Sequence, residues 1–206
     1  MNKNDYIDII NILKKTYPEA KCSLDFNKPF DLVVAVMLSA QCTDERVNKT
    51  TPELFSKYPT IESFANADIT NLEKMIHPCG FYKNKAKNII ETAKKVLNDF
   101  GGIVPSNMED LLTLPGVGRK SANVIMLEVF GISQGVAVDT HCKRISNRLG
   151  LSKESDPTKI EFDLIQKFPH ETLKDVNHLF MYFGRDICTA RNPKCEQCPL
   201  RNFCKS

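Results

Sequence analysis

Apolar residues recur at intervals of three and four along most of the chain, which is the period of an amphipathic helix. Residues 85–102, KAKNIIETAKKVLNDFGG, are typical: one face is apolar, and the glycines at 101 and 102 indicate a helix end. The apolar face consists of Ile89, Ile90, Ala93, Val96 and Leu97. No stretch alternates like a half-buried strand between hairpin turns. The pattern predicts an all-α protein of roughly nine to eleven helices, since helices average about eleven residues.

Two helix starts carry capping signals. Ser106 is followed three residues later by Glu109, which is the spacing of a capping box and predicts a short helix through Leu114. Asp156 before Pro157 is typical of an N-cap and a first-turn proline. We therefore expect a helix over the segment that follows, TKIEFDLIQKF.

The composition is that of a globular protein. The 206 residues are 42% hydrophobic and 26% charged, and the chain is long enough to bury a core. The longest uncharged apolar stretch, LVVAVMLSA at 32–40, is about half the length of a membrane span. The first residues, MNKNDYIDII, lack the basic-then-apolar order of a signal peptide. We expect a cytoplasmic protein without a membrane partner.

Charge and cysteine are concentrated near the C-terminus. The net charge of +3 would not by itself indicate a nucleic-acid partner, but residues 188–206 hold four basic residues against one acidic residue. Four cysteines are scattered singly and are expected to be reduced and structural: Cys22, Cys42, Cys79 and Cys142. The other four are Cys188, Cys195, Cys198 and Cys204, spaced C-x6-C-x2-C-x5-C. Thiolates this close suit tetrahedral zinc or an iron–sulfur cluster, and the spacing leaves both open.

A glycine-rich turn at 114–118, LPGVG, separates two predicted helices and forms a helical hairpin. Glycine allows a close approach to the backbone, and the first amides of the next helix carry positive partial charge. Gly116, Val117 and Gly118 are therefore candidates to bind a phosphodiester, and Arg119 adds charge beside them. A plain helix-to-helix turn with solvated basic residues is the alternative.

Lys120 is a candidate nucleophile. It lies at the start of a helix, where the positive end disfavours an ammonium group and so favours the reactive amine. Asp139 follows an apolar run and precedes a helix that contains Lys143, Arg144 and Arg148. Its position fits an N-cap, and it could also accept a proton or stabilise positive charge on a sugar. The two roles are compatible.

Five stretches resemble the endonuclease III family of helix-hairpin-helix DNA glycosylases, in family order and with similar separations. They cover nearly the whole chain: MLSAQCTDERVN (37–48), GFYKNKAKNI (80–89), LPGVGRKSANVI (114–125), VDTHCKRISNRLGL (138–151) and the cysteine tail. The resemblance implies a monomer that removes oxidised pyrimidines from double-stranded DNA, acts on abasic sites and nicks the strand. It also implies a location with the DNA of the nucleoid.

The same resemblance implies roles for four residues. Lys120 attacks C1′ of a flipped nucleotide and forms a Schiff base that decays by β-elimination, and Asp139 is its acid–base partner. Gln41 and Phe81, on separate loops, fill the space that the nucleotide leaves. Many bacterial members have leucine where Phe81 stands, and an ordinary loop role is the alternative for both residues.

The cysteine tail matches the family's [4Fe–4S] pattern, with Cys188, Cys195, Cys198 and Cys204 as ligands. Arg191 and Lys194, in the loop between the first two cysteines, are implied to contact DNA phosphate. The alternative is that they offset the negative charge of the cluster.

The implied architecture has two domains. A six-helix domain at 23–132 carries the hairpin, and a discontinuous iron–sulfur domain joins 1–22 to 133–206. Lys120 and Asp139 are then expected on opposite sides of the cleft between them. Two rival functions remain: a non-catalytic DNA-binding module with structural zinc, and a glycosylase that does not cleave the strand.

Overall fold

The computed structural model describes residues 1–205, and the regular elements in that range are all helical, as predicted. The α-helices are α1 (Lys3–Thr16), α2 (Pro29–Ser39), α3 (Asp44–Lys57), α4 (Ile61–Ala65), α5 (Ile69–Ile76), α6 (Tyr82–Phe100), α7 (Met108–Leu112), α8 (Arg119–Phe130), α9 (Thr140–Arg148), α10 (Pro157–Lys167) and α11 (Leu173–Asp186). Four short 3₁₀ helices lie at His77–Cys79, His170–Thr172, Cys195–Gln197 and Arg201–Phe203.

The chain forms two compact units. The first, here the hairpin unit, is the continuous segment Ser23–Gly131. The second, here the cysteine unit, joins Met1–Cys22 to Ile132–Ser206. Within residues 1–205, no helix is both long enough and apolar enough to cross a membrane.

The hairpin unit is built around α2. Every residue from Phe30 to Leu38 is buried, because helices α3, α6 and α8 all pack against α2. Apart from Asp31 near its start, this stretch is apolar on all sides, and such a helix requires this central position. The ring of Phe64, on α4, packs against Phe30, Phe55 and Tyr58 with centroid distances of 5.6, 6.4 and 5.2 Å.

The longest helix of the hairpin unit, α6, ends as the sequence predicts. Gly101 takes the left-handed conformation with φ 61°, and its residue type makes that turn possible without strain. The predicted start of α7 is wrong by one residue. Asn107 is the N-cap, because its Oδ1 accepts the amide of Asp110 at 2.9 Å, and the helix ends at Leu112 rather than Leu114.

The cysteine unit has its own apolar core, to which the two ends of the chain contribute. Helix α1 packs on α11, α11 on α9, and α9 on α10. Ile9, Ile10 and Leu13 from α1 are fully buried in the same cluster as Phe180 and Phe183 from α11. The predicted cap of α10 is confirmed: Asp156 accepts the amide of Lys159 at 3.0 Å, directly before Pro157.

Candidate functional site

The turn between α7 and α8 is held by a hydrogen bond from α6 and by contacts within the turn itself. The Thr92 hydroxyl of α6 donates to the carbonyl of Pro115 at 2.8 Å. Val117 is 6% exposed, and its amide donates to the carbonyl of Leu114 at 3.1 Å. Val117 therefore anchors the turn through both its side chain and its amide.

The two glycines of this turn differ in what they require. Gly116 has φ 80°, and a Cβ there would lie 2.8 Å from Nδ2 of Asn88 and 3.0 Å from Cε of Met37. Gly118 has an extended backbone, with φ −94° and ψ 175°, and a Cβ there would meet open space. Of these two residues, only Gly116 needs glycine for a positive φ. Because Gly118 has no side chain, a ligand can approach the first turn of α8 closely.

Lys120 is exposed on the first turn of α8. Gly118 is the N-cap and offers no side-chain hydrogen bond, so the first amides of this twelve-residue helix have no side-chain cap. Arg119, beside it, is half-buried. Lys120 is therefore attached at the positive end of a helix, where an anion or an electron-rich group is favoured.

Asp139 is the N-cap of α9, as its position in the sequence predicts. Its Oδ1 accepts the amide of Cys142 at 2.7 Å, and the apolar residues Val136–Val138 before it are buried. The cap orients a half-buried carboxylate. Asp139 belongs to the cysteine unit and Lys120 to the hairpin unit.

Gln41 and Phe81 share an unusual backbone. Among residues 1–205 they are the only two residues other than glycine with positive φ, at 54° and 49°. Phe81 is 64% exposed, and Gln41 is exposed as well. Left-handed conformations are uncommon for such residues and often mark functional sites, where the surrounding structure maintains the strain.

Lys85 is the functional candidate that the sequence analysis missed. Its ammonium donates to the carbonyls of Leu38, Ala40 and Cys79 at 2.8, 2.8 and 2.9 Å. The signal was present in the sequence, because Lys85 precedes Ile89 by four residues and so falls on the apolar face of α6. A charged residue on a buried face requires a specific set of partners.

The four C-terminal cysteines line one cavity of about 280 Å³, together with the apolar side chains of Leu149, Phe183 and Ile187. Within residues 1–205, no three potential metal-binding side chains converge as they would on a single ion. Burial raises the pKa of the Cys198 thiol, and the other three cysteines raise it further. The donor set is four soft sulfur atoms spread around an apolar space, which fits a cluster in which each thiolate binds its own iron.

Two arginines of α9 hold the start of this cysteine segment. Arg148 donates to Sγ of Cys188 at 3.3 Å and to the carbonyl of Thr189 at 2.7 Å. Arg144 donates to the carbonyls of Cys188 and Gly184, each at 2.9 Å. The sequence showed both only as basic residues on a helix, because their carbonyl partners lie some forty residues away.

The loop between Cys188 and Cys195 carries its two basic residues on the surface. Arg191 is exposed. Lys194 is also exposed and forms an ion pair with Asp186 at 3.1 Å. Asp186 thus neutralises part of the charge of Lys194. Both roles proposed for Lys194, contact with DNA phosphate and offset of the cluster's negative charge, need that charge to be available.

Comparison with known protein families gives two matches. Residues 34–170 match the HhH-GPD superfamily base excision DNA repair protein. Residues 188–204 match the iron-sulfur binding domain of endonuclease III, and this match begins and ends at two of the four clustered cysteines.

Individual relatives agree over nearly the whole length. The chain is 51% identical to endonuclease III of Synechocystis sp. over 97% of this chain and 91% of that protein. It is 44% identical to endonuclease III of Bacillus subtilis, over 92% and 86%. Among solved structures, a trapped endonuclease III–DNA covalent intermediate superposes with a TM-score of 0.93, at 38% identity, covering 100% of this chain and 96% of that one.

Proposed function

The chain belongs to the endonuclease III family of base excision DNA repair proteins, and on that premise we propose that it removes oxidised pyrimidines from duplex DNA through a Schiff base on Lys120. As a member of this family it is a DNA glycosylase and an abasic-site lyase, its partner is double-stranded DNA, and it carries a [4Fe–4S] cluster. The observation that carries the proposal is the exposed lysine on the first turn of α8, directly after the glycine hairpin.

The proposed reaction begins with attack of the Lys120 amine on C1′ of a flipped nucleotide. A bond forms between the lysine nitrogen and C1′, while the bond from C1′ to the base breaks and the base leaves with its electron pair. Opening of the sugar ring gives an iminium, and loss of a C2′ proton then expels the 3′ phosphate. The strand is cleaved by β-elimination.

Lys120 needs a group that takes its proton. An ammonium group cannot attack carbon, so the side chain must lose a proton before it reacts. We assign Asp139 as the group that accepts this proton or stabilises the positive charge that develops on the sugar. As the N-cap of α9 its carboxylate is held in one orientation, which general acid–base chemistry requires.

Binding requires contacts to the backbone and a way to extrude the nucleotide. The open first turn of α8, at Gly118 and Arg119, suits a phosphate group, since helix amides bind phosphate without reading the base. Extrusion costs a few kcal/mol, less for a damaged base. We assign Gln41 and Phe81 to fill the vacated space, because their side chains are exposed at two loop positions with left-handed backbone.

We assign Cys188, Cys195, Cys198 and Cys204 as the ligands of the cluster. Their cavity offers four thiols and an apolar wall, as such a group requires. When bound, the cluster cross-links four points of a segment whose regular structure consists of two short 3₁₀ helices, and so contributes to its folding.

The test uses duplex DNA that contains thymine glycol, incubated with the protein and borohydride and then resolved on a denaturing gel. Borohydride reduces an iminium, so the wild type is expected to form a covalent protein–DNA adduct. Lys120→Gln keeps much of the length and polarity of the side chain but has no amine, and is expected to bind the DNA, retain its cluster and form no adduct. Lys143→Gln is the matched control and should trap normally.

Two results would change the assignment. Adduct formation at the wild-type level by Lys120→Gln would move the nucleophile to another amine, such as Lys143 or the N-terminus. Base release by the wild type without adduct or strand cleavage would identify a hydrolytic glycosylase, in which Lys120 is only a phosphate contact.

A further inference from the structure

Lys85 uses all of its hydrogen-bonding capacity inside the hairpin unit. A lysine ammonium has three donors, and here each has one backbone carbonyl within 2.9 Å. The residue is only 6% exposed. The three carbonyls belong to Leu38, Ala40 and Cys79, so a single nitrogen joins the end of α2 to the 3₁₀ helix His77–Cys79.

This arrangement carries an electrostatic cost. Burial lowers the pKa of Lys85, which means that the folded protein disfavours the charged form that makes these bonds. The carbonyls of Leu38 and Ala40 lie at the C-terminal end of α2, where the helix dipole favours a cation and offsets part of the cost. A leucine or methionine would fill the same space without that cost. The charge therefore serves to connect the loops rather than to fill the core.

The carbonyls that Lys85 holds are next to the two strained residues. Ala40 directly precedes Gln41, and Cys79 lies two residues before Phe81. Phe81 is itself tied to α6, because its carbonyl accepts the amide of Lys85 at 3.1 Å. Between Cys79 and Phe81 stands Gly80, at φ 68° and ψ 161°, a conformation almost restricted to glycine.

We propose that Lys85 is a positioning residue for DNA insertion, which fixes the spacing and the left-handed conformation of the two loops that present Gln41 and Phe81. Strained backbone persists only where its surroundings determine it fully, and the three carbonyl contacts provide that restraint on both loops at once. Holding both side chains in the inserting geometry before DNA arrives removes an ordering cost from lesion binding. This inference rests on the insertion role that the proposed function gives to Gln41 and Phe81.

The experiment measures lesion discrimination, defined as the ratio of the dissociation constants for undamaged duplex and for a duplex with a stable abasic-site analogue. The holoprotein is used, with a fluorescent purine analogue beside the lesion to report unstacking. Lys85→Met keeps the length of the side chain and removes the three donors. It is expected to bind undamaged duplex as the wild type does and to lose roughly 10- to 100-fold in discrimination, because insertion accounts for a few kcal/mol. The fluorescence rise at the lesion should fall in parallel.

Two controls separate positioning from general destabilisation. Leu54 of α3 is fully buried in the hairpin unit. Leu54→Ala opens a cavity there and should lower the unfolding midpoint without changing discrimination. In a background that carries both Gln41→Ala and Phe81→Ala, the further effect of Lys85→Met on discrimination should be within about twofold, because neither inserting side chain is left to position. If Lys85→Met does not fold, Lys85→Gln replaces it: its amide is one atom shorter and has two donors, so it cannot hold all three carbonyls, and a smaller loss of discrimination is expected.

The outcomes distinguish this inference from the proposed function. Wild-type discrimination in Lys85→Met, or a loss that adds fully to that of the Gln41→Ala, Phe81→Ala double variant, would overturn the positioning role while the insertion role stands. Unchanged discrimination in both Gln41→Ala and Phe81→Ala would refute the insertion role itself and the positioning role with it.

Discussion

The Nη1 atom of Arg148 lies 3.3 Å from Sγ of Cys188, to which it donates a hydrogen bond. The same guanidinium also donates to the carbonyls of Thr189 and Ala190. One side chain on α9 thus holds both a proposed ligand sulfur and the backbone of the two residues that follow it. Removal of a group that orients a ligand in this way typically costs roughly 10- to 100-fold in metal affinity.

Arg148→Met is therefore expected to yield protein that loses its cluster faster, although all four cysteines remain. The measurement is the decay in air of the visible absorbance of the iron–sulfur cluster. Arg201→Met, at an exposed arginine that lines the same cavity, is the control and should decay like the wild type. Equal decay in Arg148→Met would show that the contact does not support the cluster.

Gly116→Ala and Gly118→Ala should separate stability from binding. Gly116→Ala forces a Cβ against Asn88 in a left-handed backbone, so we expect a loss of about 1–3 kcal/mol in the free energy of unfolding and weaker DNA binding. Gly118→Ala has room for its methyl group and should unfold like the wild type, yet bind all duplexes more weakly because the methyl group obstructs phosphate. Wild-type affinity in Gly118→Ala would count against the hairpin as the phosphate site.

Arg191→Ala combined with Lys194→Ala should lower the salt dependence of DNA binding by about two counterions if both side chains contact phosphate. Asp186→Asn provides the complementary test: it releases Lys194 from its ion pair and should strengthen binding at low salt. The readout is the slope of the logarithm of affinity against the logarithm of salt concentration. An unchanged slope with a less stable cluster would favour the charge-offset role.

Asp139→Asn should separate chemistry from capping. Asparagine caps helices as well as aspartate does, so the variant should keep its stability, but it lacks the proton acceptor. We expect base release to slow by roughly 10²- to 10⁴-fold in single-turnover assays. Asp139→Ala should in addition lose about 1 kcal/mol of stability. Near-normal base release by Asp139→Asn would reduce the role of Asp139 to that of a cap.

The features that the sequence predicted correctly depend on contacts between residues close together in the chain. The end of α6 at Gly101 and the caps at Asp139 and Asp156 involve partners within a few residues, so residue type and spacing suffice. The start of α7 was misplaced because two capping residues, Ser106 and Asn107, stand side by side, and only the structure shows which one accepts the Asp110 amide.

The contacts that the sequence could not supply are distant ones. Lys85 and its carbonyl partner Leu38 are 47 residues apart, and Arg148 and the sulfur of Cys188 are 40 apart. The positive φ of Phe81 was equally hidden, since its residue type gives no reason to expect it. Local motifs identified the candidate catalytic residues and ligands, whereas the side chains that position them could not be identified from the sequence.

The cysteine unit is built from two separate segments of the chain, and this sets the order in which a newly synthesised chain can fold. Ile9, Ile10 and Leu13 leave the ribosome early, but α11, against which α1 packs, begins only at Leu173. At about 5–20 residues per second, α1 waits roughly 8–30 s for that partner. The hairpin unit is continuous and can complete its core within that interval. The apolar face of α1 then stays accessible to chaperones and to aggregation until synthesis is nearly finished.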